Sequence, residues 1–287
     1  MKIGIIGPGA IGLLFAYYLQ KETQSVTVYT RTKEQADLLC EKGVTCIRNG
    51  RKHTVFPKAK PITDALFEDD YIFIAVKQYH LEEVLTHLPI EANLVFLQNG
   101  MSHLPILKEY HHVAVGIVEH GAKKESETIV HHTGIGVTRI GTFAGDFTPL
   151  VPLFSSPQFS LVVEKNWREI MTNKLIVNAC VNPLTALYKV NNGELLTNPS
   201  FFHAMKSVFA EVLSVVGEDQ QQERWDLVCD VCKKTASNRS SMLTDLSLGR
   251  QTEVDAILGY LLKEATVRQK QTPIVSFLYH SVKGLEG

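Results

Sequence analysis

The chain has 287 residues, 45% of them hydrophobic, and 29 Lys plus Arg stand against 30 Asp plus Glu for a formal net charge of −1. That balance provides no global attraction to nucleic acid or an anionic membrane, and the apolar content excludes a disordered chain. The length suits two domains or one large one, either with a sizeable core. Five scattered cysteines (Cys40, Cys46, Cys180, Cys229, Cys232) do not make a disulfide framework and fit a reducing, cytoplasmic setting. Cys229 and Cys232 form a CxxC inside a helix-like stretch with no second pair at zinc spacing, so no metal site is predicted. His111-His112 and His131-His132 are strand neighbours that point to opposite faces and cannot chelate together.

The first segment reads strand (Lys2–Ile6), glycine turn (Gly7–Gly12), helix (Ile11–Lys21), strand (Val26–Thr30), a βαβ unit. Ile3 to Gln20 carry no charge and follow Lys2, which imitates a secretory leader. Gly7-Pro8-Gly9 would break such a leader, and no small-x-small cleavage site precedes Lys21-Glu22, so secretion is not expected. No other run is long and apolar enough to span a bilayer. Tyr71–Val76 and Asn93–Leu97 are further apolar strands of a parallel sheet buried on both faces. From Val113 to Ile140, β-branched runs broken by glycine read as antiparallel strands appended to that sheet, with Phe159–Val163 closing the region. From Trp167 helical periodicity takes over, through Trp167–Ala179, Phe201–Val216, Arg224–Ala236, Glu253–Gln271 and Ile274–Lys283, with breaks at Asn182-Pro183 and Asn198-Pro199. The expected division is therefore an α/β domain over 1–166 and a helical domain over 167–287, with a ligand cleft between them.

Gly7, Pro8, Gly9, Ala10, Ile11 and Gly12 fit GxGxxG directly after a strand and at the start of a helix. Glycines there permit a tight turn, close approach of backbone to a pyrophosphate, and helix-on-sheet packing. At the end of the second strand, Tyr29-Thr30-Arg31-Thr32 lacks the acidic residue of an NAD site, and Arg31 can pair with a 2′-phosphate, so NADP(H) is the cofactor expected, with Lys33 as a helper. Lys77 and Asn99-Gly100 follow two strands at their carboxyl ends, the ligand-binding edge of such sheets, although turn residues also occupy those positions. Lys174, Asn178 and Asn182 recur at i, i+4 and i+8, so one helix face presents an ammonium and two amides. That stripe suits either a buried hydrogen-bond network or a clamp on a carboxylate and carbonyl with Lys174 as the acid. Ser241 is a candidate donor to a substrate carboxylate and Glu253 a partner near the lysine, while Asp245 and Arg250 read as local structure.

Taken together, GPGAIG at Gly7–Gly12, Arg31, VKQ at Val76–Gln78, QNG at Gln98–Gly100, HTGIGVTRIG at His132–Gly141, NKLIVNACVNPLTAL at Asn173–Leu187, NNGEL at Asn191–Leu195 and SSMLTDL through Glu253 resemble the ketopantoate reductase (2-dehydropantoate 2-reductase) family over nearly the whole chain. The resemblance implies a Rossmann domain followed by a helical domain like that of 6-phosphogluconate dehydrogenase. It implies NADPH-dependent reduction of ketopantoate in pantothenate biosynthesis, with Lys174 as proton donor and Asn178, Asn182 and Asn192 on the substrate. It further implies Ser241 on the substrate carboxylate, Glu253 completing the substrate and nicotinamide-ribose network, and Lys77, Asn99 and Ala122 in the cofactor site. Val118-Glu119-His120 departs from the family's Thr-rich run. The partner expected is a small 2-keto acid, and a homodimer is left open. The rival readings are a reductase of another 2-keto acid and a non-catalytic NADPH-sensing protein.

Overall fold

The computed structural model describes residues 1–23 and 25–287. Two compact units emerge, Met1–Gln98 with Pro105–Ile170, and Asn99–Leu104 with Met171–Gly287. The expected division at 166/167 thus lies four residues from one inside a helix, and the loop Asn99–Leu104 groups with the helical unit.

In chain order the first unit contains β1 (Ile3–Ile6), α1 (Ala10–Thr23), β2 (Val26–Thr30), α2 (Lys33–Lys42), β3 (Val44–Arg48), β4 (Arg51–Val55), β5 (Lys58–Pro61), β6 (Tyr71–Ile74), α3 (Leu81–Leu85), β7 (Asn93–Phe96), β8 (His112–Val118), β9 (Gly121–Lys124), β10 (Ile129–Gly134), β11 (Val137–Ala144) and β12 (Ser160–Glu164). Its main sheet runs β12-β11-β8-β7-β6-β1-β2-β5. The strands from β5 to β8 are parallel, and β11 pairs antiparallel with β8. The chain moves outward from β1 to β2 and β5, then returns to β6 on the opposite flank. This is the α/β architecture expected, and its switch point lies where the carboxyl ends of β1 and β6 part.

The stretch from Val113 to Ile140 does not simply extend that sheet. β8 and β11 do, but β9 and β10 belong to a second sheet in the order β4-β3-β10-β9, where β10 runs parallel to β3. The reason lies in α1, whose residues Gly12 to Leu19 are all buried. It packs on β1 and β2 and also on β3, β9 and β10. A helix covered on both sides must be apolar all round, which accounts for the uncharged leader-like run.

Beneath that helix Tyr18 donates to or accepts from His132 Nδ1 at 2.8 Å, and His120 stacks on Phe159 with ring centroids 4.7 Å apart. The departure at His120 is therefore absorbed by packing: His120 is buried and its Nδ1 accepts from Gly136 N at 3.1 Å. Burial, with His132 alongside, lowers the His120 imidazole to about 4, and burial lowers His103 to about 4. Between the unfolded value near 6.5 and that folded value, the unfolded chain binds protons that the folded chain refuses. Stability is therefore expected to hold above about pH 7 and to fall by a few kcal/mol as pH drops toward about 4, at about 1.4 kcal/mol per tenfold change in proton affinity. Urea midpoints that stay flat from pH 7 to 4.5 would contradict this.

The second unit holds most of α4 (Trp167–Tyr188), then α5 (Glu194–Thr197), α6 (Pro199–Val216), α7 (Gln221–Lys234), α8 (Ser241–Ser247), α9 (Tyr260–Val267), which a π-turn over Asp255–Gly259 precedes, and α10 (Pro273–Glu286). Asn198 caps α6, accepting from Ser200 N and Phe201 N ahead of the helix, with Pro199 opening it, as expected. Asn182-Pro183 does not end its helix. α4 continues to Tyr188 with Pro183 inside it, because the residues on either side of the proline are buried and packing outweighs the one backbone bond that proline cannot make. Cys180 and Cys232 are fully buried and Cys229 partly so; burial pushes all three thiols up, Cys232 to about 12. They behave as packing groups rather than as nucleophiles.

Candidate active site

Three glycines in the β1–α1 turn do three different jobs. Gly7 has φ +93°, and a Cβ there would lie 2.6 Å from Val76 Cγ1. Gly12 brings α1 onto the turn so closely that a Cβ would lie 2.0 Å from Gly7 O. Gly9 is different, since a Cβ there would meet only Ala75 O, at 4.0 Å. The fold requires glycine at Gly7 and Gly12 but not at Gly9, where the backbone is bare toward open space. The first bond into the helix runs from Leu13 N to Gly9 O at 2.9 Å, leaving the amides ahead of it as donors without an intrahelical acceptor. No acidic side chain lies in that first turn. The turn fits a dinucleotide pyrophosphate, and it sits at the switch point of the sheet.

Around it, Arg31 is exposed at the carboxyl end of β2, directly before Thr32, which caps α2 by accepting from Gln35 N. Lys33 is engaged by Asp37 at 2.7 Å, an exposed pair of small energetic weight. Lys77 is half-buried after β6 and begins a short 3-10 turn over Gln78–His80. Gln98 Nε2 donates to Ile74 O at 2.9 Å and Val76 O at 3.0 Å, which fixes the strand end that Lys77 follows. Ala122 lies on β9, opposite His132 and in the sheet that packs on α1.

In the second unit, Lys174, Asn178 and Asn182 lie in order along α4, with both asparagines buried and the lysine half-buried. Thr185, one turn on and fully buried, donates to Val181 O at 2.8 Å and lies 2.8 Å from Ser240 Oγ. Ser240 in turn accepts from Leu243 N at 3.1 Å as the cap of α8. This brace joins α4 to the start of α8, where Ser241 is exposed. Asn192 is buried in the loop after α4, donates from Nδ2 to Thr235 Oγ1 at 2.8 Å, and keeps its Oδ1 without a partner among the described residues.

Asn99 and Glu253 meet directly, Asn99 Nδ2 donating to Glu253 Oε2 at 2.9 Å across 154 residues of sequence. Glu253 is only 7% exposed. Asn99 was expected with the sheet-end residues of the first unit, but it groups with the helical one. Asp245 O accepts from Leu248 N and Arg250 N, in keeping with a local role for that segment. Sequence reasoning passed over Thr185, Ser240 and Thr252. The signal for Thr252 was available, a hydroxyl residue immediately before a helix read as starting at Glu253.

A Rossmann-type α/β unit with an open glycine turn and a helical unit that lines up an amine and two amides along α4 are the two parts of an oxidoreductase. The chain belongs to the ketopantoate reductase family: it matches "Ketopantoate reductase PanE/ApbA" over residues 3–145 and "Ketopantoate reductase PanE/ApbA C terminal" over residues 166–286. It is 44% identical to the 2-dehydropantoate 2-reductase of Bacillus subtilis (strain 168), over 100% of this chain and 98% of that protein. The crystal structure of a probable 2-dehydropantoate 2-reductase from Bacillus subtilis matches with a TM-score of 0.90 and 43% identity, covering 99% of this chain and 100% of that one. A D-mandelate dehydrogenase solved with NADH and anilino(oxo)acetate shares the fold at a TM-score of 0.89 and 22% identity, covering 100% of this chain and 98% of that one. No helix among the described residues is long and apolar enough to cross a membrane.

Proposed function

We propose that this protein reduces 2-dehydropantoate (ketopantoate) to (R)-pantoate with NADPH, in the pantothenate (coenzyme A) pathway. The observation that carries this reading is the row of Lys174, Asn178 and Asn182 along α4, an amine and two neutral amides with both asparagines buried and the lysine half-buried. Five free thiols support a cytoplasmic location.

When bound, the reduced dinucleotide supplies the hydride that adds to C2 of the keto acid. In this reading Gly7, Pro8, Gly9, Ala10, Ile11 and Gly12 hold its phosphates, Arg31 takes the 2′-phosphate, and Lys77, Asn99, Ala122 and Glu253 complete its site. Lys174 hydrogen-bonds the substrate's carbonyl oxygen and gives it a proton as negative charge builds there. Asn178 and Asn182 orient the substrate hydroxyl and the lysine without adding charge, and Asn192 offers its open Oδ1 to the same hydroxyl. Ser241 donates to the carboxylate. Glu253 limits the positive charge that Lys77 and Lys174 would otherwise impose, while its bond from Asn99 keeps the carboxylate in place.

NADPH consumption by the purified protein with a panel of 2-keto acids tests the substrate. Ketopantoate is expected to give the highest kcat/KM, and a better substrate elsewhere in the panel would overturn the assignment. The cofactor is tested separately at Arg31. Losing a charge-assisted bond to phosphate costs about 1.5–3 kcal/mol, so Arg31→Ala should raise KM for NADPH at least tenfold and leave that for NADH unchanged. An equal effect on both cofactors would remove Arg31 from the 2′-phosphate.

A further inference from the structure

The turn that carries Glu253 is gripped from the far end of the chain. Thr252 N donates to Glu286 Oε1 at 2.8 Å, and Thr252 Oγ1 donates to the same oxygen at 2.6 Å. The same hydroxyl accepts from Val254 N at 3.1 Å, so Thr252 bonds forward over Glu253 and back to α10 at once. Thr252 is 1% exposed, and the Glu286 side chain 9%. The second carboxylate oxygen of Glu286 lies 2.8 Å from Lys283 Nζ, which also reaches Asp255 Oδ2 at 3.2 Å, and Tyr279 OH donates to Asp255 Oδ1 at 2.7 Å. Tyr279, Lys283 and Glu286 form one face of α10 that holds the residues on both sides of Glu253.

The opposite side is held by the loop that bears Asn99. Gly100 has φ +78°, and a Cβ there would lie 2.1 Å from Ala256 O. Met101 N approaches that same carbonyl at 3.4 Å. The π-turn over Asp255–Gly259 begins directly after this turn, and Ala256 N and Ile257 N both donate to Glu253 O at 3.1 Å. Such turns recur at functional sites because they re-aim side chains that a regular helix would place elsewhere. Glu253 thus stands between two anchored segments, with its carboxylate joined to Asn99.

We infer that Glu286 is a positioning residue of the reaction, acting through Thr252 to hold Glu253 at the angle from which it meets Asn99. This rests on the reading of Glu253 as part of the substrate and nicotinamide-ribose network. The carboxylate divides its work, Oε1 accepting from both Thr252 donors and Oε2 pairing with Lys283. Glutamine at this position keeps that oxygen, while alanine removes it and leaves the buried Thr252 amide and hydroxyl without an acceptor.

The test is a cycle of variants in the full chain, assayed with NADPH and ketopantoate well below the unfolding midpoint of each. NADPH binding, followed by nucleotide fluorescence, serves as the second readout. Glu253→Ala should lower kcat at least tenfold. Glu286→Ala should lower kcat about tenfold, with any rise in KM for NADPH no larger than that of Glu253→Ala, and Glu286→Gln should recover most of that loss. In the Glu253→Ala background, Glu286→Ala should cost nothing further. A full extra loss in that background, or no rescue by glutamine, would overturn the positioning role while leaving Glu253 in the site. Wild-type turnover in Glu253→Ala would instead overturn the reading of Glu253, and the inference with it.

Discussion

Lys174→Ala is expected to cut turnover of ketopantoate by about 10²–10⁴-fold, the range that a positioned general acid contributes. The lysine sits on α4 in the helical unit, whereas the phosphate turn belongs to the first unit, so NADPH affinity should stay within about threefold of wild type. Lys174→Arg separates charge from proton donation. Arginine keeps the positive charge but cannot release a proton in the working pH range, so it should recover no more than about tenfold. Full recovery by arginine would reduce the role of Lys174 to electrostatics. Loss of NADPH binding in the alanine variant would place the lysine in the cofactor site instead. Unfolding midpoints measured alongside show whether a slow variant is still folded.

The second large effect separates two glycines three residues apart. Gly12→Ala places a methyl 2.0 Å from Gly7 O and 3.0 Å from Gly7 C, backbone that cannot swing aside, so α1 has to move off the sheet. A core distortion of that kind costs several kcal/mol, roughly 2–4, and should lower the unfolding midpoint by many degrees. Gly9→Ala meets only Ala75 O at 4.0 Å, so the fold should lose nothing measurable. It does place a methyl on the surface proposed for the pyrophosphate, and affinity for NADPH and NADH should fall at least tenfold together. Calorimetry and equilibrium binding on the two variants give the answer. A stable Gly9→Ala that binds the dinucleotide normally would detach the turn from cofactor binding.

What was legible in the sequence was local. The strand-turn-helix at Gly7–Gly12 and the row at Lys174, Asn178 and Asn182 each lie within one or two turns of chain, where spacing alone fixes which groups share a face. Less legible was anything that depends on distant pairing. β3 and β4 are short, and β4 is exposed along most of its length and carries little apolar pattern; the partner of β3 on its other side is β10, more than 80 residues away in sequence. The bond from Asn99 to Glu253 spans 154 residues and draws a loop that follows a sheet strand into the helical unit. Pro183 misled for the opposite reason, because its local rule was correct but weaker than the burial of the helix around it. The charge-free run from Ile3 to Gln20 acquired its explanation only from the second sheet covering α1.

Hydride transfer from the dinucleotide to the keto acid can be followed with an isotope. The purified protein is incubated with ketopantoate and NADPH carrying deuterium at the transferable C4 position, and the product is analysed by mass spectrometry. One deuterium at C2 of pantoate is expected for each NADPH consumed, with NADH at equal concentration consumed at least tenfold more slowly. Pantoate without deuterium, or NADPH that stays intact beside ketopantoate, would contradict that transfer.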